Sequence, residues 1–381
     1  MTKMADAQSK RLYQSLLPQA VNEKGFEGRA RRCEWRISVD GVDTTEDIRL
    51  NLISMEITDN EEDEADDLQI KIADRDGVWL QKWLNDTIQK GVKTNGLKFE
   101  AWIGITDAYG NIVQQKTGTY HLDCVKHSGP PSVATLKCIS LEFEGGIRTE
   151  KRDKAWERYK LSGIAKEIAD KGKLKLQYLA ENDPTFDRKQ QDQETDLAFL
   201  KRLCKDEALS LKFTDGIMVI FDKKQFEKMQ PHRNFKFKSD HCDYIKWDLG
   251  TSAGETQYDS CTVKYTYPKT GECIEGSYKS DEWYENEKDS DGKSKHQELV
   301  VTNKKVKSVG EAMHLAEKML KMNNLFSKEA SFTTMGDPSL MAGMTVYLED
   351  FGFWNGLYMV ASVKHTITTS GYTTKADLRK V

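Results

Sequence analysis

Apolar and polar residues alternate along the first and last parts of the chain, and a helical spacing takes over between them. From Cys33 to about Phe143, "CEWRISVDG" and "LQIKIAD" alternate, the second placing Leu68, Ile70 and Ile72 on one face, as half-buried strands do. "FEAWIGITDAYGNIVQQKTGTYHLDCVKH" and "ATLKCISLEFEG" continue the pattern, with Tyr109-Gly110-Asn111 as a turn. One helix is predicted inside this run. Asp76 caps it, and Trp79, Leu80, Trp83, Leu84 and Ile88 recur at helical spacing. Its two tryptophans are expected to plug the end of a small antiparallel barrel. The acidic run "TDNEEDEADD" has no apolar residue except Ala65 and reads as a solvated loop. It lacks the central glycine and the ligand spacing of an EF-hand.

Between Thr149 and Met229 the period changes. Ser162 is predicted to cap a helix whose buried face is Leu161, Ile164, Ala165, Ile168 and Ala169, ending near Gly172. "LKLQYL" reads as a strand. Asp192 is predicted to cap a second helix carrying Leu197, Leu200, Leu203 and Cys204. Glu194 and Asp196 sit in its first turn and Lys201, Arg202 and Lys205 towards its end, as the helix dipole favours. "LSLKFTDGIMVIFD" reads as a hairpin turning at Asp215-Gly216.

From Asn234 the β pattern returns in "YIKWDL", "DSCTVKYTYP", "EASFTTM", "MTVYLED" and "LYMVASVKHTITT". A helix interrupts it. Ser308 and Glu311 have capping-box spacing, ahead of Ala312, Leu315, Ala316, Met319 and Leu320. The expected organisation is an N-terminal arm at 1–32, a β region with a helix at 33–148, an α+β insert at 149–233 and a second β region with a helix at 234–381. The arm is basic at Lys24, Arg29, Arg31 and Arg32 and is expected to order on a partner. Residues 279–298 are hydrophilic and expected to form a mobile loop. Arm and loop are both expected to dock other components. The two β regions resemble each other in organisation only, without a repeat of identical residues.

Composition narrows the function. A chain of 381 residues exceeds the size at which single cores stop growing. Net charge is −4, so no basic excess points to nucleic acid. No apolar run is long enough to cross a membrane, and the N-terminus lacks the apolar core of a secretory signal. The seven cysteines form no CxxC pair and read as free thiols of a reducing cytosol.

Candidate chemistry is sparse. "GTSAG", Gly250 to Gly254, matches the G-x-S-x-G elbow around Ser252, but that motif needs a strand-to-helix turn, and a strand pattern follows here. His241 and Cys242 lack the paired short spacing of zinc ligands. Neither HExxH, GxxxxGK[ST] nor GxGxxG occurs. His365 lies in a strand pattern beside small and apolar residues, with Met359, Ala361 and Val363 expected on its face and Tyr358, Val360, Ser362 and Lys364 on the other. That is a scaffold position. No catalytic residue, metal or cofactor is expected.

Two stretches together carry a family resemblance. In "QQDQETDLAFLKRLCKDEALSLKFTDGIMVIF", Gln191, Thr195, Asp196, Phe199, Leu200, Arg202 and Leu203 fit a helix-then-hairpin motif. In the closing stretch from Gly336, the matching positions include Gly343, Gly356, Tyr358, Val360, Val363, His365, Tyr372, Thr374 and Leu378. The chain resembles the late control D family, the tail hub proteins of phages, tail-like bacteriocins and related contractile injection systems. The resemblance implies two tube-like antiparallel β-barrels per chain, and a homotrimeric ring that adapts a six-fold tail tube to a three-fold spike. Implied partners are the spike, the tail tube or a tube-initiator protein, the tape measure protein and baseplate wedge components. The implied location is a virion tail baseplate or an extracellular tail-like particle, assembled in the bacterial host cytoplasm. Asp196, Phe199, Leu200, Leu203, Gly343, Gly356, Tyr358 and His365 would then be packing positions. A lumen in such a ring is expected to be neutral to acidic, since a basic wall would hold DNA. The alternative is a peptidoglycan-binding or cell-wall-degrading tail protein, its insert similar to a LysM-like unit.

Overall fold

The structure is a computed structural model that describes residues 19–22, 32–62, 65–79, 97–106, 111–140, 146–207, 209–238, 244–251, 258–268, 270–279, 297–302, 304–324 and 328–381. It is mainly β with few helices. The first β region holds β1 (Gln19–Asn22), β2 (Arg32–Val39), β3 (Val42–Asp43), α1 (Thr45–Arg49), β4 (Leu52–Asn60), β5 (Asp67–Ala73), β6 (Lys98–Thr106), β7 (Asn111–Ser128) and β8 (Val133–Ile139). The insert holds β9 (Lys151–Lys160), α2 (Leu161–Lys171), β10 (Lys175–Tyr178), β11 (Thr185–Thr195), α3 (Asp196–Asp206), β12 (Ser210–Thr214), β13 (Ile217–Phe221) and α4 (Lys223–Glu227). The last region holds β14 (Arg233–Lys236), β15 (Lys246–Thr251), β16 (Ser260–Thr266), β17 (Cys273–Lys279), β18 (Glu298–Val301), α5 (Val309–Asn324), β19 (Lys328–Met335), β20 (Thr345–Glu349), β21 (Gly356–Thr368) and β22 (Gly371–Lys380).

Strands of both β regions join one sheet, in the order β15-β19-β22-β21-β4-β5-β8-β7-β6-β2-β3. Among the described residues this path does not close on itself. The join is the antiparallel pair β21·β4, with His365 opposite Ile57 and Thr366 opposite Glu56.

The sheet is two copies of one pattern. β2-β6-β7-β8-β5-β4 and β14-β20-β21-β22-β19-β15 follow the same pairing order with their strands in the same chain order. Registers agree as well. Glu56, Gln69, Lys137 and Cys124 form one cross-strand row of the first unit. Asp248, Ser331, Asp377 and Ser362 form the corresponding row of the second. β7 and β21 each carry a bulge at the same place, between Leu122 and Cys124 and between Val360 and Ser362. Aligned on these bulges, "GTYHLDCVKHS" (118–128) faces "GLYMVASVKHT" (356–366), identical at Gly, Tyr, Val, Lys and His. This corrects the sequence expectation: a repeat of identical residues is present. The units differ at one edge, where β2·β6 is antiparallel and β14·β20 parallel.

The β21 bulge also corrects a face assignment. An inserted residue shifts the alternation by one, so Tyr358 and Val360 before it share the buried side with Val363 and His365 after it. Strict alternation had separated these two pairs.

The insert has its own core, with Trp156, Leu161, Ile164, Ile168, Phe199, Leu200 and Leu203 fully buried. The α2 and α3 faces expected from spacing are the buried ones. Both expected caps are corrected. Lys160 precedes α2, and Ser162 instead bonds Asp183 through its amide and hydroxyl. Thr195, not Asp192, caps α3 by accepting from the Ala198 amide at 3.2 Å. The Asp215-Gly216 hairpin stands, with both residues at positive φ, as a type I′ turn requires. Ser308 and Glu311 form a box at α5: Ser308 accepts from the Glu311 amide, and Glu311 from that of Lys307. α5 packs on β17-β16-β18 around a separate small core.

Part of the expected arm, Gln19–Asn22, is a strand paired to β7. Arg32, the last residue of the expected arm, opens β2, while the rest of the arm, the predicted helix beyond Trp79, most of loop 279–298, and Ser252, His241 and Cys242 lie outside the described residues. Asp74, rather than Asp76, accepts the Trp79 amide. No helix among the described residues is long and apolar enough to cross a membrane.

Candidate functional site at the junction of the two β units

The acidic run read as a solvated loop is instead part of a buried junction. β4 carries Met55, Ile57 and Asp59 on its inner face, so the strand's end delivers a carboxylate to where the two units and the insert meet. Asp59 accepts from Lys212 of β12 at 2.6 Å and from the Ala342 amide of the last region at 2.8 Å. One side chain therefore ties all three parts together. Two residues on, Glu61 takes Arg379 of β22 through two hydrogen bonds, of 2.6 and 2.8 Å. Arg379 is fully buried and also reaches Glu227 at 3.3 Å. Lys223 of α4 pairs with Glu62.

Charges taken from water are tolerated only when paired and hydrogen-bonded, and the titration of these groups reflects that. Burial pushes the Asp66 carboxyl up to about 7, against the pull of Lys212, and neighbouring Asp59 adds to the rise. Asp66 also accepts from the Asn60 amide at 3.0 Å. Burial opposes the charge on Lys212, but Asp59 and Asp66 outweigh it and hold the ammonium above the ordinary lysine range. Arg379 is likewise penalised by burial, yet held above its usual value by Glu61.

His365 lies in the same junction. Its Nδ1 meets the Tyr372 hydroxyl at 2.8 Å and that of Thr374 at 3.2 Å, and a ring nitrogen bonds the Leu340 backbone. Burial lowers its pKa to about 4, with Asp59 and Asp337 opposing, so the ring is neutral at pH 7. Thr374 is fully buried, and its hydroxyl already accepts the Asp337 amide at 2.8 Å. The arrangement locks β21 to β22 and is closed to solvent. His127, the same position in the first unit, is held by Asp74 at 3.1 Å and Ser132 at 3.3 Å.

The other motif residues are spread over two further places. In the insert, Asp196 is fully buried and receives Arg152, Gln191 and Lys171. Phe199 stacks on Trp156 at 5.9 Å, and the Trp156 indole donates to Gln191. Leu200 and Leu203 fill the core between them. In the last region Gly343, at φ +83°, donates its amide to Val360. Gly356 has φ +132°, mirrored by Gly118 at +147°. Tyr358 is fully buried, its hydroxyl has no partner among the described residues, and burial raises its pKa to about 12.

The structure brings His365 to the junction but leaves Asp196 and its neighbours in the insert. Sequence reasoning missed Asp59, Glu61, Asp66, Lys212 and Arg379. Each partner lies more than a hundred residues from the acid it meets, and no local spacing signals such a contact.

The family model of the phage tail baseplate hub (GPD) matches residues 146–371. A probable baseplate hub protein of Escherichia phage P2 is 30% identical over 174 residues, 45% of this chain and 40% of that protein. This chain therefore matches well under half the length of that relative. A tail protein from Neisseria meningitidis MC58 superposes with a TM-score of 0.64 at 13% identity, over 92% of this chain and 97% of the other. The 43 kDa tail protein of prophage MuSo2 from Shewanella oneidensis gives 0.61 at 14%, over 91% and 96%. At these identities the two structures show a shared fold.

Proposed function

The chain belongs to the phage tail baseplate hub family, and on that premise we propose that it is the structural hub of a phage tail or phage-like contractile injection particle, three copies forming a ring between a six-fold tube and a three-fold spike. The observation that carries this reading is the doubled six-strand unit. One chain holds two units of equal pairing order and matching register, side by side in one sheet. Three such chains present six equivalent units to a six-fold disc while keeping three-fold symmetry below. Each unit would then close as a tube-like barrel within the assembly.

The buried ion pairs suit that role. Asp59 with Lys212, and Glu61 with Arg379, join regions distant in sequence, and a hub that transmits load needs its parts fixed to one another. The spike, the tube or its initiator, the tape measure protein and wedge components are the proposed partners, and a virion tail or tail-like particle the proposed location.

Light scattering with negative-stain imaging of the purified chain tests the reading. Three-chain rings with a central hole are the expected result, formed alone or on mixing with the spike. A protein that binds purified peptidoglycan and forms no ring with any tail component would overturn it.

A further inference from the structure

The charges at the junction do not balance. Lys212 pairs with Asp59, Arg379 with Glu61 and Lys223 with Glu62. Asp66, the next acid turned inward, has no salt bridge among the described residues, although it is only 4% exposed. Its polar contacts are the Asn60 amide at 3.0 Å and the neighbouring Asp59 carboxyl. Lys212 pulls on it without forming an ion pair.

Asp66 lines a cavity of about 150 Å³ between the two β units and the insert. Ile57 and Ile103 of the first unit, Val219 and Phe221 of the insert and Met341 of the last region form its apolar walls. Gln115 of β7 also lines it, and its Oε1 is buried with no hydrogen-bond partner among the described residues. An apolar cavity of this size takes a group as large as one benzene ring. The site therefore has room, apolar walls, an acid without a counter-charge and an acceptor without a donor. Both polar vacancies are costly when buried.

We propose that this cavity binds one short alkylammonium group, its ammonium donating to the Asp66 carboxylate and to Gln115 Oε1 and its alkyl tail lying along Ile57, Ile103, Val219 and Phe221. An ammonium carries three donors and one charge, which supplies both missing partners at once. A metal ion suits the site less, because no cluster of metal-ligating side chains occurs among the described residues. A free amine and the lysine side chain of a bound peptide present the same group.

Pairing requires Asp66 to ionise. Burial and Asp59 hold its proton up to about 7, with Lys212 opposing. Of the other titratable groups around it, Glu61 is paired with Arg379, and Tyr120 and His365 are neutral at pH 7. Binding should therefore release about one proton at about pH 6 and almost none at about pH 8.5.

Calorimetry of n-butylammonium chloride against the full chain, in two amine-free buffers of different ionisation enthalpy, tests the site. One-to-one saturable binding with that proton release is expected, and n-butanol, of the same length without the charge, should bind about tenfold more weakly or worse. Asp66→Asn keeps the shape and removes the charge. It should weaken butylammonium about tenfold or more and leave butanol unchanged. Val219→Phe narrows the apolar end and should weaken both. Nα-acetyl-lysine methylamide separates the two sources: binding as tight as butylammonium assigns the site to a peptide lysine, and exclusion assigns it to free amines. Butylammonium that fails to saturate at about 50 mM, or binds the wild-type chain no better than butanol, would overturn the proposal and leave the cavity to water. The wild-type comparison needs no variant to fold. The site does not depend on the ring, so neither result alters the hub reading.

Discussion

Glu61 and Arg379 stand 318 positions apart and close a two-bond ion pair of 2.6 and 2.8 Å with almost no exposure to solvent. A buried pair of this kind is weak evidence of net stability, but breaking it leaves a stranded charge. Arg379→Met should therefore destabilise the protein by about 3–5 kcal/mol in urea unfolding, and adding Glu61→Gln should recover a large part. A loss below about 1 kcal/mol, the range of exposed pairs, would show that water reaches the junction.

Asp66 and His365 give stability opposite pH slopes. The Asp66 carboxyl is raised from 3.8 to about 7, so the folded state holds a proton that the unfolded state has released. Its contribution is present at acid pH and lost as pH rises through 7. His365 is lowered from 6.5 to about 4. Its contribution is present above 6.5 and lost as pH falls towards 4. The two slopes oppose each other between about pH 4 and 6.5, so melting temperature should decline as pH rises from about 6.5 and level off above 7, and Asp66→Asn should flatten that limb and melt higher than wild type at pH 8. His365→Asn should leave the Asp66 slope unopposed, so that melting temperature declines with pH across about 4 to 7. An unchanged alkaline limb in Asp66→Asn would place the titration on another group.

Gly118 and Gly356 occupy equivalent positions, both at strongly positive φ. A Cβ at Gly118 would come no nearer than 3.5 Å to the Tyr120 ring, and one at Gly356 only 3.9 Å from Lys380. Space is adequate at both, so the cost of alanine is conformational. Gly118→Ala and Gly356→Ala should each destabilise by about 1–3 kcal/mol, with similar values. Unequal losses, measured by chemical denaturation, would mean that the units are equivalent in path but not in backbone strain.

The β character of both regions and the helix faces of the insert were legible because one buried side imposes a period of two on strands and 3.6 on helices. The doubled unit was harder to see. "GTYHLDCVKHS" and "GLYMVASVKHT" share five residues, but the spacing between copies is not constant. The turn after β7 is Gly129–Ser132 and that after β21 is Thr369–Ser370, and β16 to β18 with α5 intervene only in the second unit. The junction was not legible at all. A carboxylate run such as Asp59 to Asp67 has the composition of a solvated loop, and only tertiary partners from β12 and β22 turn three of its members inward.

In the proposed ring, the sheet face opposite the core bears on the character of the lumen. It alternates with the buried side and carries Glu56, Lys71, Lys364, Lys375 and Asp377 half-buried or exposed. Three of its lysines are matched: Lys364 and Lys71 reach Glu56 at 2.5 and 3.9 Å, and Lys375 reaches Asp377 at 2.7 Å, while Lys126 and Lys137, exposed on the same face, have no ionic partner among the described residues. Lysines engaged in this way offer little to a phosphate backbone, whose affinity comes from free cations that release counterions. The wild-type protein should therefore retain little DNA in a filter-binding or shift assay at about 0.15 M salt, clearly less than a variant in which these pairs are broken. Glu56→Gln combined with Asp377→Asn frees three lysines on one face and should create retention that falls steeply with salt. Wild-type binding equal to that of the double variant would mean that this face, or another basic surface, holds DNA despite the pairing, and a role as a neutral channel lining would be abandoned.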